Sequence, residues 1–275
     1  MPLDAQVQDR IAVVGRQTAL MAQAYGEWSA ADWQRDTFCA GWKATDAVAH
    51  LVTGADFYTQ VIASGRTGKP GKPWGVTNVE EFRVARGDAG KKLTAAGPAA
   101  VLRAFSDSAA ALQAMLESLQ DGELSEVAWH PRGLVPISGW VGMRLIELGI
   151  HDWDIRQPHE AGAGLSSTVL PALLAVLPDM QTQFLTQRAG DDLAGTFGFQ
   201  AGDAAWGIRL QEGAASYLPE APPACDAWLH ADAESMILLT MGRADLAMKQ
   251  ASGALTVTGD TDKGQQLCAT LFRAF

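Results

Sequence analysis

The stretch 137–157, ISGWVGMRLIELGIHDWDIRQ, decides how this chain reads. Its apolar and polar residues alternate as on an amphipathic helix, and Pro158, which cannot continue a helix, ends it. Glu147 and His151 stand four residues apart in it. Four residues advance about 400° around a helix, so the two side chains share a face, about 6 Å apart. That spacing suits two ligands of one metal ion, and it equally suits a hydrogen-bonded pair. Arg144, three residues before Glu147, reads either as a clamp for a substrate carboxylate or as an ion-pair partner of Glu147 or Asp154. Asp154, three residues after His151, reads as the group that orients that imidazole or as a helix-end charge, and Asp152 reads as surface.

Working back toward the start, further helical patterns appear. Residues 3–28 place Ile11, Val14, Leu20, Met21 and Tyr25 near one helix face. A second helix starts near Thr45, with Thr45 and Asp46 as candidate caps, and runs through AVAHLVTGADFYTQVIAS (47–64). Residues 79–85 and 98–119 give further helical segments, and DGELSEVAWHPRGLVP (121–136) reads as a loop. Four main helices with irregular connections predict a bundle whose sites lie between facing helices.

Working forward, the small residues 160–164 mark a boundary, which divides the chain into 1–160 and 165–275. A helix over 166–187 opens the second part, followed by strand-like GTFGFQ, AAWGIRLQ, AASYLP and ACDAWLHA between Gly, Pro and Asp turns. Helical AESMILLTMGR, strand-like ALTVTGD and a closing helix complete a smaller α+β domain. There is no internal repeat.

A third side chain joins the pair on the last bundle helix. His50 sits mid-helix between Val48, Ala49, Leu51 and Val52, where a core histidine is the plainer reading. A bundle nevertheless brings such helices together, and His50, Glu147 and His151 would make a His, Glu, His set with a fourth position open. That donor set is associated with catalytic zinc, and it also suits nickel, iron or manganese.

Composition narrows the functions available. With 275 residues, 21 basic against 31 acidic side chains and a formal charge of −10, the chain lacks the clustered cations that nucleic acid or an anionic membrane requires. Hydrophobic residues make up 48% and charged residues 19%, which describes a packed globular chain. Cys39, Cys225 and Cys268 form no paired motif, so they read as small buried hydrophobes. No secretory pattern opens the sequence and no apolar run spans a membrane, so the expected location is the cytoplasm, as a monomer or homodimer.

GWKATDAVAHLVTGADFY (41–58) and RLIELGIHDWDIR (144–156) together resemble the mycothiol-dependent maleylpyruvate isomerase family, within the DinB-like superfamily. The resemblance implies a DinB-like metal-binding four-helix bundle holding a divalent ion, usually zinc, through His50, Glu147 and His151. LLTMGRADLAMKQASGALTVTGD (238–260) is similar to the family's sterol-carrier-like second domain. By that likeness Arg243 corresponds to a functionally important arginine of the isomerases, although this chain continues through an extra strand and helix after it.

The implied function is a metal-dependent enzyme in which a low-molecular-weight thiol, mycothiol or bacillithiol, attacks a small electrophile, giving isomerisation or S-transfer. Arg144 and Arg243 are the candidate catalytic residues. The competing reading is a small-molecule or lipid carrier whose metal-binding bundle has no catalytic role. Of the other histidines, His130 reads as a solvated loop residue, His159 as exposed and His230 as structural.

Overall fold

Asp4 starts the first helix: its carboxylate accepts the N–H groups of Gln6 and Val7 at 3.0 and 3.2 Å and caps α1 (Ala5–Gly26). The structure, a computed structural model, describes residues 3–190, 192–220 and 222–273, and it divides into two units between Val169 and Leu170. In the first unit, α2 (Ala30–Trp33), α3 (Ala44–Gly65), α4 (Val79–Ala95) and α5 (Pro98–Glu117) follow α1. A hairpin, β1 (Val127–His130) and β2 (Gly133–Pro136), then leads into α6 (Ile137–Arg156).

Helices α1, α3, α5 and α6 pack on one another as a bundle, with α4 laid along α3. Val14, Met21, Leu51, Phe105, Leu112, Trp140, Leu145 and Leu148 are all but inaccessible in its core. Burial of each such side chain is worth about 1.5–3 kcal/mol before packing is counted. The helix at 137–156 is not amphipathic in the expected sense, because Ile137, Val141, Leu145, Leu148, Ile150, Trp153 and Ile155 bury it on several sides. It is a central helix of this unit, with Arg144 and Asp154 fully buried in it.

Three local readings change. The α3 start lies at Ala44, where Asp46 accepts the Lys43 N–H at 2.9 Å, while Thr45 Oγ1 donates to the Trp33 carbonyl and ties α2 down. Helix α4 runs ten residues beyond 85, its periodicity blurred by Gly87 and Gly90 and by having Phe82 as its one buried residue. The stretch 127–136 is a hairpin rather than a loop, pairing His130 with Gly133 and Val127 with Pro136.

The second unit opens with α7 (Leu170–Arg188), which begins four residues later than expected. Its sheet contains β3 (Gly195–Ala201), β4 (Ala204–Gln211), β5 (Ala214–Leu218), β6 (Ala227–Ala231) and β7 (Leu255–Gly259) in the order β5-β4-β3-β6-β7. The β3–β6 pair is parallel and the others antiparallel. Helices α7, α8 (Ala233–Thr240) and α10 (Thr261–Leu271) pack on this sheet, and a short α9 (Leu246–Ala251) precedes β7. Trp206, Ile208 and Leu210 alternate inward along β4, giving the α+β core its period of two. Among the described residues no helix is long and apolar enough to cross a membrane.

Candidate metal centre

Helices α3 and α6 bring His50, Glu147 and His151 to one place. His50 Nε2 lies 3.9 Å from Glu147 Oε1, and the imidazoles of His50 and His151 stand 4.9 Å apart, edge to face. Two ligand atoms on a tetrahedral ion with bonds of about 2.1 Å lie about 3.4 Å apart, so the His50–Glu147 spacing needs a shift of about half an ångström. His151 stands further off, since the three donor atoms do not all fall within 4.8 Å of one another. Two imidazoles and a carboxylate nevertheless make a donor set of the right chemistry.

His151 is held from behind. Its Nδ1 lies 2.9 Å from Asp154 Oδ2, a carboxylate with no exposed surface that also accepts the Cys39 thiol at 3.2 Å. Cys39, His151 and Asp154 are the set among the described residues whose ligand atoms all lie within 4.8 Å. The two distances to Asp154 are hydrogen-bond lengths, so hydrogen bonding accounts for the cluster. Binding a metal there would further require a thiolate beside a buried carboxylate. The better reading leaves Nδ1 protonated on Asp154 and presents Nε2 toward His50. Cys39 is thereby a polar partner of the site and not the inert buried thiol the sequence suggested.

Glu147 is surrounded by cations. Arg144 Nη1 reaches its Oε2 at 3.5 Å and donates to the Leu51 carbonyl at 3.1 Å, and Arg86 Nη2 lies 3.6 Å from its Oε1. Burial would raise the Glu147 carboxyl, but Arg86, then His50 and Arg144, outweigh it and hold the group below its ordinary range. Burial, then the nearby Arg86 charge, lowers His50 to about 3, so this imidazole is neutral and able to accept a bond or a metal at neutral pH. The Tyr58 phenol is pushed well above its usual value by burial first and by Glu147 second, and it stays protonated.

Arg144 does not reach the open side of the site. It is 1% exposed, packed under Glu147, and its Nε and Nη2 find no hydrogen-bond partner among the described residues. That position makes the ion-pair reading with Glu147 the one its contacts display. Arg243 belongs to the second unit, on the turn after α8, where it donates to the Met241 carbonyl at 3.0 Å.

Two residues of the site were not singled out in the sequence. Arg86 comes from α4, with Nη2 3.2 Å from His50 Nε2 and Nε 3.4 Å from Thr53 Oγ1. Gly54 leaves the α3 surface bare beneath the carboxylate: a Cβ there would stand 2.6 Å from Glu147 Oε2. A glycine inside a helix costs about 1 kcal/mol relative to alanine, and that cost was the available hint of a close approach. Trp42 closes another side, with its ring 5.0 Å from His50 and 6.1 Å from His151. The left-handed turn at Gly41 (φ +79°) aims it there.

His50, Thr53, Trp42 and Arg86 line a pocket of about 480 Å³ between α3 and α4. The remaining sequence candidates lie elsewhere. His130 is half-buried rather than a freely solvated loop residue; its ring packs 5.6 Å from Trp140, and burial, then Arg132, lowers it to about 4. Asp152 is mostly covered and accepts from Arg156 at 2.8 Å, so it is not the surface charge expected. His159 is exposed and bonds the Asp36 carbonyl, while His230 bridges Gln200 and Thr258 as a structural residue.

A family model described as the mycothiol maleylpyruvate isomerase N-terminal domain matches residues 14–156, and one described as the SCP-2 sterol transfer family matches 182–272. Among solved structures, the mycothiol-dependent maleylpyruvate isomerase aligns at 16% identity over 92% of both chains with a TM-score of 0.63, a likeness of fold. A mutant form of that enzyme aligns with the same figures. A UbiJ-SCP2 ubiquinone synthesis protein aligns at 20% identity over 37% of this chain and 94% of that chain, with a TM-score of 0.30. No curated protein matches the chain.

Proposed function

The chain belongs to the mycothiol maleylpyruvate isomerase N-terminal domain family, and from that premise we propose that it is a metal-dependent enzyme using a low-molecular-weight thiol on small electrophiles. The reaction is isomerisation or S-transfer. His50, Glu147 and His151 hold the divalent ion, zinc or one of similar preference, with mycothiol as the first thiol to test. The observation that carries this reading is the meeting of His50 Nε2 and Glu147 Oε1 at 3.9 Å, with the His151 ring 4.9 Å from that of His50 and held by Asp154, beside a pocket that His50 lines.

A divalent ion bound there supplies Lewis acidity that lowers the pKa of a thiol from about 8.5. The chain's own groups do the rest. Asp154 keeps the His151 proton on Nδ1, Arg144 and Arg86 keep Glu147 ionised, and burial keeps His50 neutral. Trp42 shields the imidazoles from bulk water on its side. A bound thiol would supply a nucleophile for reversible addition to an activated double bond, which would allow rotation with no net consumption of thiol. Displacement of a leaving group would instead leave a thioether. Arg243 enters this proposal through the family resemblance.

The deciding experiment is metal analysis by plasma mass spectrometry on protein purified without a histidine tag, followed by turnover of maleylpyruvate with mycothiol. We expect close to one metal ion per chain, lost in a folded His151→Ala variant, and thiol-dependent loss of substrate absorbance. Arg243→Ala is expected to keep the metal and lose turnover. Full metal retention by His151→Ala overturns the ligand assignment.

A further inference from the structure

The position of Arg86 has a consequence for how the site is loaded. Its Nη2 lies 3.2 Å from His50 Nε2 and 3.6 Å from Glu147 Oε1, while those two donor atoms lie 3.9 Å from each other. One guanidinium nitrogen thus bridges two of the three candidate ligands. A divalent ion on His50 and Glu147 would stand about 3.5 Å or less from that nitrogen, and repulsion there amounts to a factor of roughly fifty even at the dielectric of bulk water. Among the described residues Glu147 is the one carboxylate in contact, too little charge to neutralise both cations.

Arg86 also has somewhere to go. It lines the 480 Å³ pocket, as do Gly87 and Gly90 of the same helix, where an added Cβ would meet nothing within 4 Å. Arg83 and Lys91 line that pocket too, and their carboxylate neighbours Glu80 and Asp88, at 3.6 and 4.0 Å, are exposed and weakly neutralising. Asp46 is the one acidic residue on the wall.

We propose that Arg86 and the metal exchange on His50 and Glu147, and that the guanidinium turned out by the metal joins Arg83 and Lys91 in holding an anionic group of the ligand. The inference rests on the metal-site reading above and adds order to it. Metal enters against an internal competitor, and its entry creates the anion site. Substrates carrying a carboxylate would be favoured only after loading.

Zinc titration of the full-length protein by calorimetry tests this, on wild type, Arg86→Met and Arg86→Lys, with circular dichroism to confirm folding. Arg86→Met keeps an apolar stem without charge and is expected to bind zinc at least about tenfold more tightly, whereas Arg86→Lys stays near wild type. Succinate, added at constant ionic strength, is expected to bind zinc-loaded wild type and to weaken about tenfold or more with Arg86→Met. No zinc binding by wild type refutes the metal-site reading itself. Zinc binding with equal affinity in wild type and Arg86→Met overturns the exchange and leaves that reading standing. Equal tightening in Arg86→Met and Arg86→Lys likewise overturns it, since charge would not be the cause.

Discussion

His151 Nδ1 and Asp154 Oδ2 lie 2.9 Å apart, three residues along α6, and the carboxylate that holds the imidazole has no contact with solvent. A buried carboxylate in that place fixes both the ring orientation and the position of its proton. Asp154→Asn offers an amide that can pair with either tautomer. We expect zinc affinity to fall about 10- to 100-fold while the fold persists, measured by competition against a chromophoric chelator. Unchanged affinity would show that Asp154 serves packing alone.

Gly54→Ala separates folding from function. Alanine favours the helix by about 1 kcal/mol. Its Cβ, however, would stand 2.6 Å from Glu147 Oε2 and 3.1 Å from Arg86 Nη2, both ends of flexible side chains that can be pushed aside. The expected outcome is a thermal midpoint at or above that of wild type together with loss of most of the bound zinc, read by melting and metal analysis of one preparation.

Arg144→Ala should cost stability. The side chain is 1% exposed and ties α6 to the Leu51 carbonyl and to Glu147, so truncation removes a buried countercharge and opens a void. We expect a loss of about 3 kcal/mol in urea unfolding, the range for breaking a buried pair. A loss under about 1 kcal/mol would place Arg144 outside the core network.

Acid should weaken the protein through His130. Burial and Arg132 hold this histidine at about 4, whereas an unfolded one titrates near 6.5. Between those values the unfolded chain binds more protons, so the stabilisation is complete above pH 6.5 and is lost as pH falls toward 4. From pH 7.5 to 5.0 this one group removes about 2 kcal/mol. His50, held down to about 3, titrates in the same window in every variant and cancels in a comparison. Urea unfolding of wild type and His130→Phe at both pH values should show the variant losing about 2 kcal/mol less. Equal losses would mean that His130 is free to take up its proton in the folded state.

What could be read in advance was what repeats. The four bundle helices announce themselves through apolar residues at helical spacing, and Glu147 and His151 through a separation of four, because both follow from the geometry of one helix. Arg86 and Gly54 have no such local mark. Arg86 is one of 21 basic residues, on a helix with one buried side chain, and its meaning arises only when α4 lies along α3. Cys39 was missed for the same reason, since its partner Asp154 is 115 positions away. The 127–136 hairpin escaped because its strands are four residues each and His130, Pro131, Arg132 and Gly133 resemble any polar connection.

Arg144, Glu147, His151 and Asp154 follow one another along α6 at intervals of three, four and three residues. Each interval is close to one turn, so a single residue inserted or deleted between them would swing everything beyond it by about 100° and turn part of the set away from α3. Most loops can lengthen or shorten at small cost, but this stretch behaves as a ruler whose graduations are amino acids. A distantly similar chain can therefore be judged by counting: one that keeps the three, four, three interval can set the same four side chains on one stripe of its helix, and one that breaks it cannot, even if its bundle still folds.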